Sequence, residues 1–244
     1  MIEKLKKIFN EEQFNPRILG IFINPFYFAR KGLYKNISEL AKNLNGRILD
    51  VGCGQKPYEK LFDYKEYIGI EIDTPENRKN KKADYFYDGK VIPFPNDSFD
   101  CVITTEVLEH VFYPNEFLKE INRVTKMGGF LLITVPFVWD EHEQPFDYAR
   151  YTSFGLKHLL NISGFEIIEH RKSNNGIELI FQLLNCYIYK VIRNRNKNTF
   201  VNLLIMLLPM ALINILGLIL SLILPKNNDL YLDNIILAKK VKNV

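Results

Sequence analysis

From Arg47 to His170 the chain alternates short β-prone runs with segments of helical period, and that alternation admits few folds. Strands joined by helical crossovers return in the same direction. The expectation is a mostly parallel sheet with helices packed on both faces. The expected strands are Ile48–Val51, Tyr67–Ile72, a short one at Tyr85–Tyr87, Asp100–Thr104, Phe130–Val135 and Phe165–His170. Tyr231–Lys239 reads as a seventh, after a long apolar stretch. Helices are expected at Pro114–Thr125, where Phe117, Leu118, Ile121 and Val124 recur at helical spacing, and at Thr152–Asn161. Gly128-Gly129 reads as the turn into the fifth strand.

The segment before Arg47 has a different character. Leu5, Ile8 and Phe9 share one helical face, and Ser38 to Leu44 reads as a second short helix. Asn24-Pro25 and the aromatics Phe26, Tyr27 and Phe28 mark a break between them. The expected organisation is a helical lid or packing segment (1–46), an α/β core (47–172), an apolar helical insertion (173–228), and a closing strand with its tail (229–244).

Composition narrows the function. With 32 Lys and Arg against 28 Asp and Glu, the net charge is only +4 and is spread along the chain, unlike the basic face of a nucleic-acid binder. Cys53, Cys101 and Cys186 show no CxxC spacing, which argues against a disulfide framework or a structural zinc site. Charges interrupt the N-terminal apolar positions, so no signal-peptide core is read there, and a reducing, cytoplasmic setting is expected.

Ligands of open parallel sheets bind beyond the carboxyl ends of the strands. At the first such end lies Asp50-Val51-Gly52-Cys53-Gly54, where glycines let the backbone turn sharply and approach a ligand. A dinucleotide fingerprint would place a third glycine where this chain has Pro57, which counts against NAD or FAD. At the end of the second strand Glu71 can accept hydrogen bonds from ribose hydroxyls, with Asp73 in reserve.

These segments together carry a resemblance. RILDVGCGQKPY, YIGIEID, DGKVIPFPNDSFDCVITTEVLEHV, FLKEINRVTKMGGFLLITVPF and FDYARYTSFGLKHLLNISGF, in that order over about residues 47–172, resemble class I S-adenosylmethionine (SAM)-dependent methyltransferases of the type 11 group. The resemblance implies a Rossmann-like methyltransferase fold and SAM as cofactor. It implies that Asp50, Gly52 and Gly54, with Cys53 between them, border the methionine part, that Glu71 holds the ribose, and that Asp88 lies near the adenine. Thr105-Glu106 and Leu108-Glu109-His110 then follow the fourth strand at the floor of the site, with Glu106 counted among the cofactor residues and His110 beside the acceptor. Met127-Gly128-Gly129 stands where the family usually has Pro-Gly-Gly, a departure that touches turn rigidity rather than chemistry.

After the fifth strand a polar and aromatic loop carries Trp139, Asp140, Glu141, His142, Glu143, Asp147, Tyr148, Arg150 and Tyr151. Trp139, Asp147, Arg150 and Tyr151 are candidate acceptor-binding residues, and His142 is a candidate general base because imidazole titrates near neutrality. Arg150 offers a planar fork for an acceptor carboxylate or phosphate; the alternative is that Asp147 and Arg150 tie the loop down. Glu106, Glu109 and His110 sit close enough for a metal, but no further ligand is visible, and the expected chemistry is metal-free.

Val201 to Leu224 carries no charge and is long enough to span a bilayer, which takes about 20 apolar residues. Lys190, Arg193, Arg195 and Lys197 precede it, favouring a cytoplasmic start. A single crossing would strand the closing β-strand on the far side, so a helical pair bent at Pro209 or Gly217 and lying against the membrane is preferred. Internal packing and contact with a second copy of the chain, as a homodimer, are the alternatives. The function expected is methyl transfer to a small, glycan-linked or lipid-linked acceptor, O-methylation favoured. An NAD-dependent oxidoreductase and an inactive membrane-attached SAM-binding module are the competing readings.

Overall fold

The computed structural model describes residues 11–195 and 199–244. The helix expected around Leu5, Ile8 and Phe9, and the basic Lys197, lie outside the described residues. The chain packs as two units, one running up to Lys35 and resuming at Lys172–Leu232, the other comprising Asn36–Arg171 with Asp233–Val244.

The second unit holds the sheet. Its strands are β1 (Arg47–Val51), β2 (Glu66–Ile72), β3 (Tyr85–Tyr87), β4 (Phe99–Thr105), β5 (Thr125–Pro136), β6 (Phe165–Lys172) and β7 (Asp233–Lys240), ordered β3-β2-β1-β4-β5-β7-β6. The pairs β2–β3, β1–β2, β1–β4 and β4–β5 are parallel, whereas β7 runs antiparallel against β5 over Phe130–Pro136. All seven expected strands are present, and the sheet is mixed through its last strand. Strand order reverses beside β1, so the ends of β1 and β4 flank the switch point where ligands of such sheets bind.

The apolar runs explain the core. Ile48, Leu49, Val51, Ile70, Val102, Leu131, Ile133 and Val135 are all inaccessible, as consecutive strand residues are when both faces of a sheet are covered. Helix α4 (Pro114–Val124) buries Phe117, Leu118, Ile121 and Val124, each worth about 1.5–3 kcal/mol in removed apolar surface. In α5 (Ser153–Ile162) Leu156 and Leu160 do the same, and the N-cap Thr152 accepts the amide of Gly155. A short helix α3 (Pro75–Asn80) follows β2.

One boundary differs from expectation. Gly128-Gly129 does not end a turn before the fifth strand; β5 begins at Thr125 and runs through both glycines. Thr125 pairs with Phe99 and Phe130 with Cys101, so several residues of β5 oppose one of β4 in a bulge. Gly128 absorbs the bulge at φ +77°.

The first unit is helical, with α1 (Gly20–Ile23), the start of α2 (Tyr27–Ala41), α6 (Ile177–Arg195) and α7 (Thr199–Ile223). Helix α2 starts well before the expected Ser38, because Tyr27 and Phe28 are buried on it rather than breaking the chain; the break is confined to Asn24–Phe26. Helix α7 continues through Pro209 and Gly217 as one element of 25 residues, where bends were expected. Proline removes one helical hydrogen bond, at a cost of about 3 kcal/mol, and the packed apolar length on either side keeps the helix continuous.

Helices α6 and α7 are antiparallel: Asn185 meets Asn214 through a buried 2.7 Å amide bond, and Phe181 lies against Gly217. A Cβ at Gly217 would come within 2.9 Å of Phe181 and 2.8 Å of Phe28, so only glycine permits this approach. Asn214 also donates to the Ile21 carbonyl (2.8 Å), and Gln182 donates to Pro25 and accepts from the Ala29 amide. One face of α7 buries Met206, Met210, Ala211, Ile213 and Asn214, while Leu204, Ile205, Leu208, Leu212, Leu216 and Ile219 are exposed. By length and composition Leu204–Ile223 suffices to cross a membrane, with 33% of its most apolar window buried.

Candidate active site

The parallel register of β1 and β2 places Asp50 opposite Gly69. Strand alternation then puts Tyr67, Gly69 and Glu71 on one face, with Tyr67 and Glu71 diagonal to Asp50. Gly69 leaves room for the loop after β1: a Cβ there would meet the side chains of Cys53 and Lys56 at 2.7 and 2.6 Å. That loop turns at Gly52 (φ +75°) and Gly54 (φ +52°), and a side chain at Gly52 would strike Val107 at 2.4 Å. A Cβ at Gly54 would meet nothing within 4 Å, so the backbone there borders open space. The Gly54 amide donates to Glu71 Oε2 at 3.0 Å, tying the ends of β1 and β2 together.

Asp50 is 4% exposed. Its Oδ2 accepts the Tyr67 hydroxyl at 2.7 Å, while Oδ1 has no hydrogen-bond partner among the described residues. Burial pushes the Asp50 carboxyl up to about 7, the Tyr67 bond opposes that, and nearby Glu71 adds to it. Burial likewise raises the Cys53 thiol to about 12, leaving it a packing group. Tyr67 was not among the sequence candidates; its signal was its place two residues before Gly69.

Asp73 and Asp88 are engaged locally. Asp73 is exposed and takes both guanidinium branches of Arg78 (2.6 and 2.8 Å), which lowers its carboxyl below the usual range. Asp88 Oδ1 accepts the amides of Lys90 and Val91 at 2.8 and 3.0 Å, holding the turn after β3 and lowering its pKa. Glu106, just after β4, sits at φ +55°, a region a non-glycine side chain adopts at some cost. Thr134 of β5 fixes it twice, accepting the Glu106 amide and donating to Oε1 at 2.7 Å.

Beyond Glu106 a single 3-10 turn, Leu108–His110, closes the floor. Glu109 is wholly buried, and neither carboxylate oxygen has a hydrogen-bond partner among the described residues. Burial, reinforced by Glu106, drives its pKa well above the ordinary carboxylate value. The loop after β5 folds over this turn: Tyr148 and Ala149 donate their amides to the Glu109 carbonyl. It thereby delivers His142 to His110, the two rings edge to face with centroids 4.7 Å apart.

Nδ1 of His110 lies 2.8 Å from the Phe146 carbonyl, and Nδ1 of His142 lies 3.2 Å from the Asp140 carbonyl. A carbonyl can only accept, so each ring carries a proton on Nδ1, and in the neutral tautomer Nε2 is the lone pair. Both Nε2 atoms face Glu109 Oε1, at 3.7 and 4.0 Å. Burial lowers the His142 pKa, favouring the neutral ring.

Within the same loop Arg150 donates to both oxygens of Asp147 (2.6 and 2.7 Å) and to the Ala149 and Asp140 carbonyls. Asp147 also accepts the His142 amide at 3.0 Å, and Arg150 holds its carboxyl far below the usual range. The pair therefore ties the loop together, and the guanidinium fork points inward at Asp147. Tyr151 is half-buried against the core; burial and then Glu109 raise its phenol. Trp139 is half-buried in the same loop. The structure thus gathers Asp50, Gly52, Cys53, Gly54 and Glu71 in one group and Glu109, His110, His142, Asp147 and Arg150 in another.

Comparison with known proteins agrees with this architecture. Residues 26–170 match the methyltransferase domain family. A probable SAM-dependent methyltransferase of Mycolicibacterium smegmatis is 27% identical over 164 residues, 62% of this chain and 63% of that protein. An uncharacterised protein of Methanocaldococcus jannaschii is 30% identical over 126 residues, 49% of this chain and 54% of the relative. The chain thus spans less than two thirds of the length of these relatives. Among solved structures, a SAM-dependent methyltransferase from Archaeoglobus fulgidus superposes with a TM-score of 0.55 at 16% identity, covering 92% of this chain and 100% of that one. The cyclase SpnF superposes at 0.54 and 19% identity, with 87% and 81% covered, so the fold also serves chemistry other than methyl transfer. With its sheet order, its glycine-bent loop after β1 and a family match over more than half its length, the chain belongs to the methyltransferase domain family, the class I SAM-dependent methyltransferases.

Proposed function

We propose that the protein transfers a methyl group from SAM to a hydroxyl of a small, glycan-linked or lipid-linked acceptor. The observation that carries this reading is the closure of Gly54 onto Glu71, next to an inaccessible Asp50 whose Oδ1 lacks a partner. The residues fit a cationic cofactor: two carboxylates lie beside backbone that only glycine could follow, bordering open space at Gly54. In this reading Asp50, Gly52, Cys53 and Gly54 hold the methionine end. Glu71 accepts from the ribose, with Asp73 in reserve; Asp88 and its turn border the adenine, and Glu106 lies at the floor.

When bound, SAM supplies a methyl on a sulfonium, which leaves as a neutral thioether as the acceptor oxygen takes the methyl. The chain must orient that oxygen, exclude water and remove its proton. Correct placement alone can contribute on the order of 7–11 kcal/mol toward the barrier. His142 is the proton acceptor of choice: its Nε2 is bare and its Nδ1 is anchored on Asp140. His110, Trp139, Tyr151 and the loop braced by Asp147 and Arg150 would contact the acceptor.

Isothermal titration tests the reading. SAM is expected to bind and NAD is not, and Glu71→Ala should weaken SAM by about 10- to 100-fold through loss of a charge-assisted hydrogen bond. Undiminished SAM affinity in that variant would remove the ribose assignment. The exposed apolar face of α7 supports a protein that rests on a membrane, where lipid-linked acceptors reside.

A further inference from the structure

We infer that Glu109, His110 and His142 form a binding site for one divalent transition-metal ion, Zn²⁺ or Mn²⁺ in kind, in the acceptor half of the site. Three observations carry it. One ring nitrogen of each histidine and a Glu109 oxygen lie within 4.8 Å of one another, and Nε2 of His110 and of His142 lie 3.7 and 4.0 Å from Oε1. Those separations exceed hydrogen-bond length, so the groups do not satisfy each other. Around a metal bound at about 2.1 Å, tetrahedral ligand atoms sit ~3.4 Å apart, so the imidazoles would close on Oε1 by roughly 0.3 and 0.6 Å and, from a spread of up to 4.8 Å, on each other by up to about 1.4 Å.

The second observation is orientation. Each histidine anchors Nδ1 on a backbone carbonyl, Phe146 or Asp140, which fixes the tautomer that leaves Nε2 as a lone pair aimed at the cluster. Metal-binding histidines are held in this way, with the far ring N–H on a carbonyl or carboxylate. The third is Glu109 itself, fully buried with both oxygens unpartnered. An anionic carboxylate in such a place costs several kcal/mol unless a cation meets it. Two imidazoles and one carboxylate favour a transition ion over Mg²⁺ or Ca²⁺, which prefer oxygen sets.

The sequence offered Glu106, Glu109 and His110 without a further ligand, and metal-free chemistry was expected. His142 is the missing ligand, carried in by a loop distant in sequence. Three protein ligands would leave a coordination position for an oxygen of the acceptor; the ion would then lower the pKa of that hydroxyl so that its proton passes to solvent, and His142 would serve as the proton acceptor only in the metal-free protein. This last step rests on the methyl-transfer reading above; binding of the ion does not.

The test uses the full chain stripped with a chelator and titrated calorimetrically with Zn²⁺ or Mn²⁺, with no SAM present. One equivalent is expected to bind and to raise the melting temperature. Co²⁺ should give the d–d absorption of an ion held by nitrogen and oxygen. Glu109→Gln, nearly isosteric, and His142→Ala, at a partly exposed side chain, should each weaken binding at least 10-fold while leaving SAM affinity unchanged. Absence of saturable binding, or binding that survives both substitutions, overturns the site. SAM binding without metal binding would leave the methyl-transfer reading standing; metal binding without SAM binding would do the reverse.

Discussion

Asp50 shows how one buried carboxylate can trade stability for ligand binding. Its folded-state pKa of about 7 lies above the ordinary 3.8, mainly through burial. Between about pH 4 and 7 the folded protein keeps a proton that the unfolded chain has released, so this group's contribution to stability falls as pH rises through that window. The penalty at pH 8 is on the order of 4 kcal/mol. Asp50→Asn keeps the shape and removes the charge. Without SAM it is expected to melt higher than wild type at pH 8, with a smaller gain at pH 5, and to bind SAM more weakly. Thermal melts at the two pH values check this; an equal gain at both would mean that the buried charge is not the cause. Asp50, Gly52, Gly54 and Glu71 were readable as a group because turn chemistry and strand ends are local signals. Tyr67 was not, since its hydroxyl finds Asp50 only through the β1–β2 register.

At the scale of elements, α6 and α7 are joined by polar side chains inside an otherwise apolar contact. Asn214 accepts from Asn185 and donates to Ile21, and both asparagines are buried. Asn214→Leu should cost about 1–3 kcal/mol, because it orphans the Asn185 amide and the Ile21 carbonyl. The double variant Asn185→Leu/Asn214→Leu should recover part of that loss, as paired apolar replacements do. A urea-denaturation cycle measures both, and a double variant as unstable as the sum of the singles would show that the pair is not coupled. Apolar length marked this region as helical but misjudged its continuity. Pro209 and Gly217 read as bends, yet the helix runs through both, with Gly217 at the close approach to Phe181 and Phe28. In β5 the opposite error arose: Gly128-Gly129 looked like a terminator and is instead a bulge inside a strand.

For the molecule as a whole, the open question of the apolar segment becomes a question about one face. Leu208 and Leu212 are 66% and 51% exposed on α7, so changing them should leave the fold intact. We expect Leu208→Glu/Leu212→Glu to abolish flotation with anionic lipid vesicles while the melting temperature stays within a degree or so of wild type, since surface substitutions rarely exceed about 0.5 kcal/mol. Flotation that persists in the variant would rule out this face as the lipid contact. A wild-type dimer in sedimentation that the variant breaks would assign the face to a second copy instead.

The succession of strands along the chain, the glycine loop, the acid at the end of β2 and the family were all legible in local pattern: alternation, turn residues and the spacing between them survive any change of packing, whereas the order in which the strands lie side by side came only with the fold. What the sequence left open was decided where distant segments meet. Glu109, His110 and His142 become one cluster only because Tyr148 and Ala149 hydrogen-bond to the Glu109 carbonyl and fold the loop back onto the 3-10 turn. The capture of Glu106 by Thr134 likewise depends on which backbones lie side by side, whereas the Asp147–Arg150 pair, three residues apart, was one of the readings the sequence already offered. Periodicity records which residues face inward. Register and loop closure, which no local window contains, determine which of them touch.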